Sequence, residues 1–289
     1  DRRQRQMCIR DSRNATEFST PILSPPRLWL LDVVSGESFP AFVDDQKLAF
    51  EPRWSADSQW LSYVSPDLGG VGVYHLPTNA DQFYASTTGE PGIWHPQRHE
   101  LIISMAQPMS DTYVTHLLLV DPVAQTQVNL SGADKLVEDG SAAWSADGEW
   151  IAFRRKEFAG PTATPGKQIW LMRQDGSDTR ALTAEAAYDF GSPLWSPDGR
   201  YLLYVYGQES GDQLVLYDFA SGDNTPIAAM SVISFAVGWS ADGGQIAFMA
   251  DAAGRYDLYV LAVVTRAVRP LTTNLAVETA GAWSPVTAS

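Results

Sequence analysis

A tryptophan followed by a tight polar turn and an apolar run recurs along this chain, and the recurrence constrains its fold more than any other feature. The copies read WSADSQWLSYV from Trp54, WHPQRHELIIS from Trp94, WSADGEWIAFR from Trp144, WSPDGRYLLYV from Trp195, WSADGGQIAFM from Trp239 and WSPVTAS from Trp283. Successive tryptophans stand 40 to 51 residues apart. A second apolar word lies between them: RLWLLD from Arg27, GVYHLP from Gly72, HLLLVD from His116, QIWLMR from Gln168, QLVLYD from Gln213 and DLYVLA from Asp257. Each is followed by a turn such as VSGES or ASGDN and a weaker strand such as TRALT. Each unit therefore reads strand, tight turn, strand, loop, strand, turn, strand.

The turns explain themselves. In Ser196-Pro197-Asp198-Gly199, proline presets φ, the aspartate side chain bonds nearby amides, and glycine takes the left-handed position that closes a hairpin. The runs after the turns, YLLYVY and WIAFR, lack polar alternation, as strands covered on both faces do. Periods of ~40–50 residues with four strands each are those of propeller blades. The expectation is an all-β, six-bladed β-propeller with four-stranded antiparallel blades over residues 27–289. One blade is incomplete and shared between the termini: the N-terminal part supplies its third and fourth strands and Trp283 heads its first. Residues 14–24 are a weak candidate for the strand still missing. Residues 1–26 are set apart as a non-propeller segment. Their first 13 positions, with five arginines and the word MCIRDS, look like a translated adaptor. The chain reads as a slice of a longer protein, so a catalytic domain beyond Ser289 stays open.

The W-S-P-D-G-x-x-I-A-F word resembles the WD-like repeat of TolB-type β-propellers, which also occurs in propeller domains of prolyl-oligopeptidase-type proteins. The resemblance runs from about residue 27 to 285. It implies a bacterial protein of the periplasm or extracellular space that binds a protein or peptide. It leaves function open, because propellers host many activities.

Composition narrows the choices. A net charge of -14, with only four lysines (Lys47, Lys135, Lys156 and Lys167), argues against nucleic acid, whose phosphates require clustered basic side chains. No run of ~18 apolar residues is present to insert into a membrane, and a single cysteine, Cys8, rules out an intrachain disulfide. The expected partner is a protein or peptide, basic if the summed field selects it, and the expected state is a monomer.

In a propeller the loops entering the first strands open on one face. Here they carry Asp44, Asp45, Glu90, Glu138, Asp139, Glu185, Asp189 and Glu278. This is either an acidic mouth for a basic peptide or simply the acidity of exposed loops in an acidic protein. No cofactor is expected, although such a mouth has the hard oxygen ligands that a cation such as calcium takes. The insertion Arg154–Gln168 gathers Arg154, Arg155, Lys156 and Lys167 into a candidate partner loop, with a flexible surface loop as the alternative. His95 and His99, in the degenerate second turn, lack a third metal ligand except Glu100 and read as a surface turn.

Repeated residues serve the repeat. On this ground Asp57, Asp147, Asp198 and Asp242 are turn-formers, and Trp54, Trp94, Trp144, Trp195, Trp239 and Trp283 pack blade on blade. No Gly-x-Ser-x-Gly elbow, His-Glu-x-x-His helix or phosphate-binding glycine loop occurs, and no catalytic residue can be named. The expectation is a non-enzymatic binding scaffold, with the propeller of a larger serine peptidase as the alternative.

Overall fold

The computed structural model describes residues 6–10, 28–32, 35–44, 47–86, 88–109, 112–158, 166–183, 192–208, 211–230, 232–251 and 256–272. They hold 23 β-strands and, among the described residues, no helix. Among the described residues no helix is therefore long and apolar enough to cross a membrane. The chain divides into two compact units, Asp1–Ala133 and Asp134–Ser289.

In the first unit, β1 (Gln6–Arg10), β2 (Leu28–Asp32) and β3 (Ser38–Pro40) pair in that order. Next, β4 (Phe50–Trp54), β5 (Trp60–Ser65), β6 (Gly70–His75) and β7 (Ala80–Ala85) form a four-stranded antiparallel sheet. Strands β8 (Ile93–Trp94), β9 (Leu101–Met109), β10 (Thr112–Asp121) and β11 (Thr126–Asn129) pair in succession in the same way.

The second unit repeats the pattern. Its first run is β12 (Val137–Trp144), β13 (Trp150–Glu157), β14 (Gln168–Arg173) and β15 (Arg180–Ala181). The second is β16 (Leu194–Trp195), β17 (Tyr201–Gln208), β18 (Gly211–Asp218) and β19 (Asp223–Met230). The third is β20 (Val232–Trp239), β21 (Gln245–Asp251), β22 (Tyr256–Ala262) and β23 (Val268–Pro270).

The four-strand reading of the repeat is what the strands adopt. Within the segment 1–26, Gln6–Arg10 pairs antiparallel with β2, Cys8 opposite Leu30. A third strand with an open edge presents unpaired backbone groups and takes up an extended neighbour. Residues 14–24 and Trp283 lie outside the described residues.

Burial follows strand position. Leu202 and Leu203 of β17 point to opposite faces, and both are fully buried. Leu203 joins a cluster with Ile246, Phe248 and Leu261 of the next sheet, while Leu202 packs with Ala152 and Leu171 of the preceding one. Each such leucine contributes about 1.5–3 kcal/mol. Middle strands therefore have no polar face, whereas the outermost strands β7, β11, β15 and β23 are largely exposed.

The recurring tryptophans sew sheet to sheet. The indole N–H of Trp94 donates to the Arg53 carbonyl at 3.0 Å, that of Trp195 to Ala143 at 3.1 Å, and that of Trp239 to Leu194 at 3.3 Å. In each case the acceptor is the residue just before the preceding repeat's own tryptophan. A large ring that must be buried thus finds its one polar group a partner.

Candidate binding site

Four turns share one hydrogen-bond plan. The hydroxyls of Ser55, Ser145, Ser196 and Ser240 donate to Oδ1 of Asp57, Asp147, Asp198 and Asp242 at 2.5–2.6 Å. The same hydroxyl oxygen accepts the amide five residues on, that of Trp60, Trp150, Tyr201 or Gln245. The aspartate's Oδ1 also accepts the amide two residues on. Position four of the turn is left-handed in each: Ser58, Gly148, Gly199 and Gly243.

The Ser145 hydroxyl and the Glu149 amide hold the Asp147 carboxyl below its ordinary range, and the Ser196 hydroxyl and Arg200 amide do the same for Asp198. Both carboxylates are therefore charged at neutral pH. Each of the four aspartates thus bonds back onto its own turn.

The second turn replaces this plan with a histidine. His95 is buried, and its Nδ1 accepts the amides of Gln97 and Arg98, each at 3.1 Å. It is the cap of the turn rather than a surface residue, because an imidazole nitrogen can stand in for the serine–aspartate pair. His99 instead reaches the preceding turn, with Nδ1 at 3.4 Å from Oδ2 of Asp57. Of the other two histidines, His75 packs on Trp60 and His116 bonds Asn129. Among the described residues no three histidine, cysteine, aspartate or glutamate side chains are grouped to hold a metal.

The acidic mouth and the basic loop are not two separate features. Arg155 donates to both oxygens of Asp139, at 2.7 and 2.6 Å, and neither side chain is more than 4% exposed. The guanidinium also lies over Trp170, 4.9 Å from its ring centre. Lys167 pairs with Glu138 at 2.7 Å, and Arg154 donates to Ser141. Arg154, Arg155 and Lys156 belong to β13, not to the loop after it. Asp139 and Arg155 are thus withdrawn from any mouth or partner loop. A buried carboxylate needs a matched cation, and a planar guanidinium supplies one.

Glu90 accepts the Ser104 hydroxyl at 2.7 Å, and Asp44 is exposed. Asp45, Glu185, Asp189 and Glu278 lie outside the described residues.

The second unit holds an open cavity that the sequence did not announce. About 560 Å³ in volume, it lies between the turn joining β12 to β13 and the turn joining β16 to β17. Asp147 and Asp198 line it with Trp150, Trp195, Phe219 and Arg180. Trp195 and Phe219 stack with ring centres 4.9 Å apart and planes 4° from parallel. Trp150 carries two guanidinium groups, Arg173 at 3.9 Å and Arg180 at 5.1 Å from its ring centre. The volume is that of a small-ligand or side-chain site. The repeat assigns every tryptophan to packing, whereas Trp150 and Trp195 pack and line a cavity together.

Successive four-stranded antiparallel sheets, stitched by recurring tryptophans and buried on both faces, define a β-propeller. Residues 159–289 match the family model described as "TolB beta propeller domain". The Tol-Pal system protein TolB of Gluconobacter oxydans is 29% identical over 115 residues, 40% of this chain and 25% of the relative. An "Uncharacterized peptidase YuxL" of Bacillus subtilis is 24% identical over 182 residues, 61% of this chain and 24% of the relative. The matches thus span about a quarter of each relative's own length. Among solved structures, the β-propeller domain of the Trilobed protease from Pyrococcus furiosus superposes with a TM-score of 0.66 at 13% identity, covering 93% of this chain and 78% of that one. That likeness concerns the fold alone.

Proposed function

We propose that this chain is a TolB-like propeller acting as a non-enzymatic scaffold for a protein or peptide, in the periplasm or outside the cell of a bacterium. One observation carries the reading. The residues whose chemistry stands out build the scaffold, and some of them line a cavity as well: the recurring tryptophans, the turn aspartates and the Arg155–Asp139 pair. What stays open is a groove with an aromatic wall. The similarity to Tol-Pal system proteins supports partner binding, and the family resemblance supports the compartment.

Crosslinking the purified chain in envelope extracts, followed by mass spectrometry, tests this. The expected result is one discrete protein, linked through a defined set of residues. Recovering only what an acidic control protein of equal charge recovers would overturn it.

A second reading rests on the match to the YuxL peptidase, which extends over 182 residues. In it the chain is the propeller of a larger serine peptidase. Sequencing the gene on both sides of this stretch decides between the two. A neighbouring α/β region with a Gly-x-Ser-x-Gly elbow favours the peptidase, and its absence removes that reading.

A further inference from the structure

The repeat offers an internal comparison at the joint between neighbouring turns. In the first unit, Oδ2 of Asp57 faces the imidazole of His99, supplied by the next turn. In the second unit, Asp147 occupies the place of Asp57, and Arg200 stands five residues after Trp195 as His99 stands five after Trp94. Arg200, however, turns to its own sheet and binds Asp218 at 3.0 Å. The hydrogen bonds of Asp147 and of Asp198 all run to Oδ1, and Oδ2 of each accepts none among the described residues. Where His99 reaches across the joint in one copy, the corresponding joint in the other borders the 560 Å³ cavity.

We propose that this cavity receives an arginine side chain from a segment of a partner protein, which rests on the scaffold reading above and gives that partner its chemistry. Three features favour a guanidinium. Two carboxylates line the cavity, each with an oxygen that accepts no bond among the described residues, and a guanidinium carries several donors to offer them. The stacked Trp195–Phe219 pair provides a flat π wall, against which a planar cation packs better than a compact ammonium. The opposite wall already uses this interaction, because Arg173 and Arg180 both lie over Trp150. Arg180 is engaged by Asp178 at 2.8 Å, while Arg173 and Arg200 favour the charged forms of Asp147 and Asp198 through space, without a hydrogen bond to their Oδ2 atoms among the described residues. The chain's net charge of -14 draws a basic segment toward it.

The test is a titration of the protein carrying ¹⁵N-labelled tryptophan, followed through its indole resonances. The probe is an acetylated, amidated Gly-Ser-Arg-Ser-Gly peptide, compared with versions bearing citrulline or lysine in place of arginine. The expected result is saturable binding of the arginine peptide, weaker binding of the lysine peptide, and at least about tenfold loss with citrulline. Asp147→Asn with Asp198→Asn should cost a similar factor. Asparagine keeps an oxygen for the serine hydroxyl and the amide, and a melting curve confirms the fold. Ala146→Trp, at an exposed turn position lining the cavity, should block binding without touching either carboxylate.

Equal binding of the arginine and citrulline peptides, or binding unchanged in the variants, overturns the proposal. So does a neutral disaccharide that shifts the same resonances when the peptides do not. Capture of an envelope partner by the double variant, together with absent peptide binding, would sink the groove and leave the scaffold standing. Failure of the unmodified chain to capture any partner would sink the scaffold itself.

Discussion

Asp139 lies 1% exposed, and Arg155 grips both its oxygens. Removing one partner takes the matched charge away from the other in a dry site. Arg155→Ala should therefore cost about 3–5 kcal/mol in urea unfolding, while Asp139→Leu combined with Arg155→Met recovers most of the loss. The turn aspartates titrate in the other regime. Asp147, Asp198 and Asp242 have carboxyl groups held below their ordinary range, chiefly by the serine hydroxyls beside them. A folded-state pKa below the unfolded one contributes stability that is complete above about pH 4 and is lost as pH falls through the folded values. Thermal melts from pH 7 to pH 2.5 should show a falling midpoint below pH 4. Replacing Ser145, Ser196 and Ser240 together with alanine should flatten that fall.

At the scale of the element, a sheet is held to its neighbour by apolar faces and by one indole hydrogen bond. Trp195 donates to Ala143 and Trp239 to Leu194. Replacing Trp239 with phenylalanine keeps most of the ring and removes the indole bond to the Leu194 carbonyl. The expected cost is about 1–3 kcal/mol, and amide hydrogen exchange should rise in β16 and β20, the two strands that the bond joins. A change at an exposed outer strand such as β23 should move stability by no more than about 0.5 kcal/mol.

The whole chain carries 34 acidic and 20 basic residues, for a net charge of -14. Long-range attraction of a basic partner is therefore screened by salt over a Debye length of about 10 Å at 0.1 M. Association with such a partner should slow several-fold between 50 and 300 mM salt, with dissociation much less affected, in stopped-flow or surface-binding measurements. An association rate indifferent to salt would show that the overall charge does not steer the encounter.

The repeat in the sequence determined the all-β class, the four-strand unit, the turn positions and the packing role of the tryptophans, because each follows from local chemistry repeated in register. Tertiary structure decided which side chains meet. Counted outward from the turn at Ser145–Asp147, Trp144 faces Ile151 and Ala143 faces Ala152, which would set Asp139 opposite Lys156. A bulge between Gly140 and Ala143, with Ser141 in the left-handed region, shifts the register by one and delivers Arg155 to Asp139. A surface acid and a loop base thereby become a buried pair. The cavity escaped the sequence for a related reason. His99 and Arg200 hold equivalent places, and only the fold shows that one reaches across to the neighbouring turn while the other binds Asp218 in its own sheet. Local propensity writes strands and turns, but a groove is made by the direction in which a long side chain leaves the backbone, and that is set by what surrounds it.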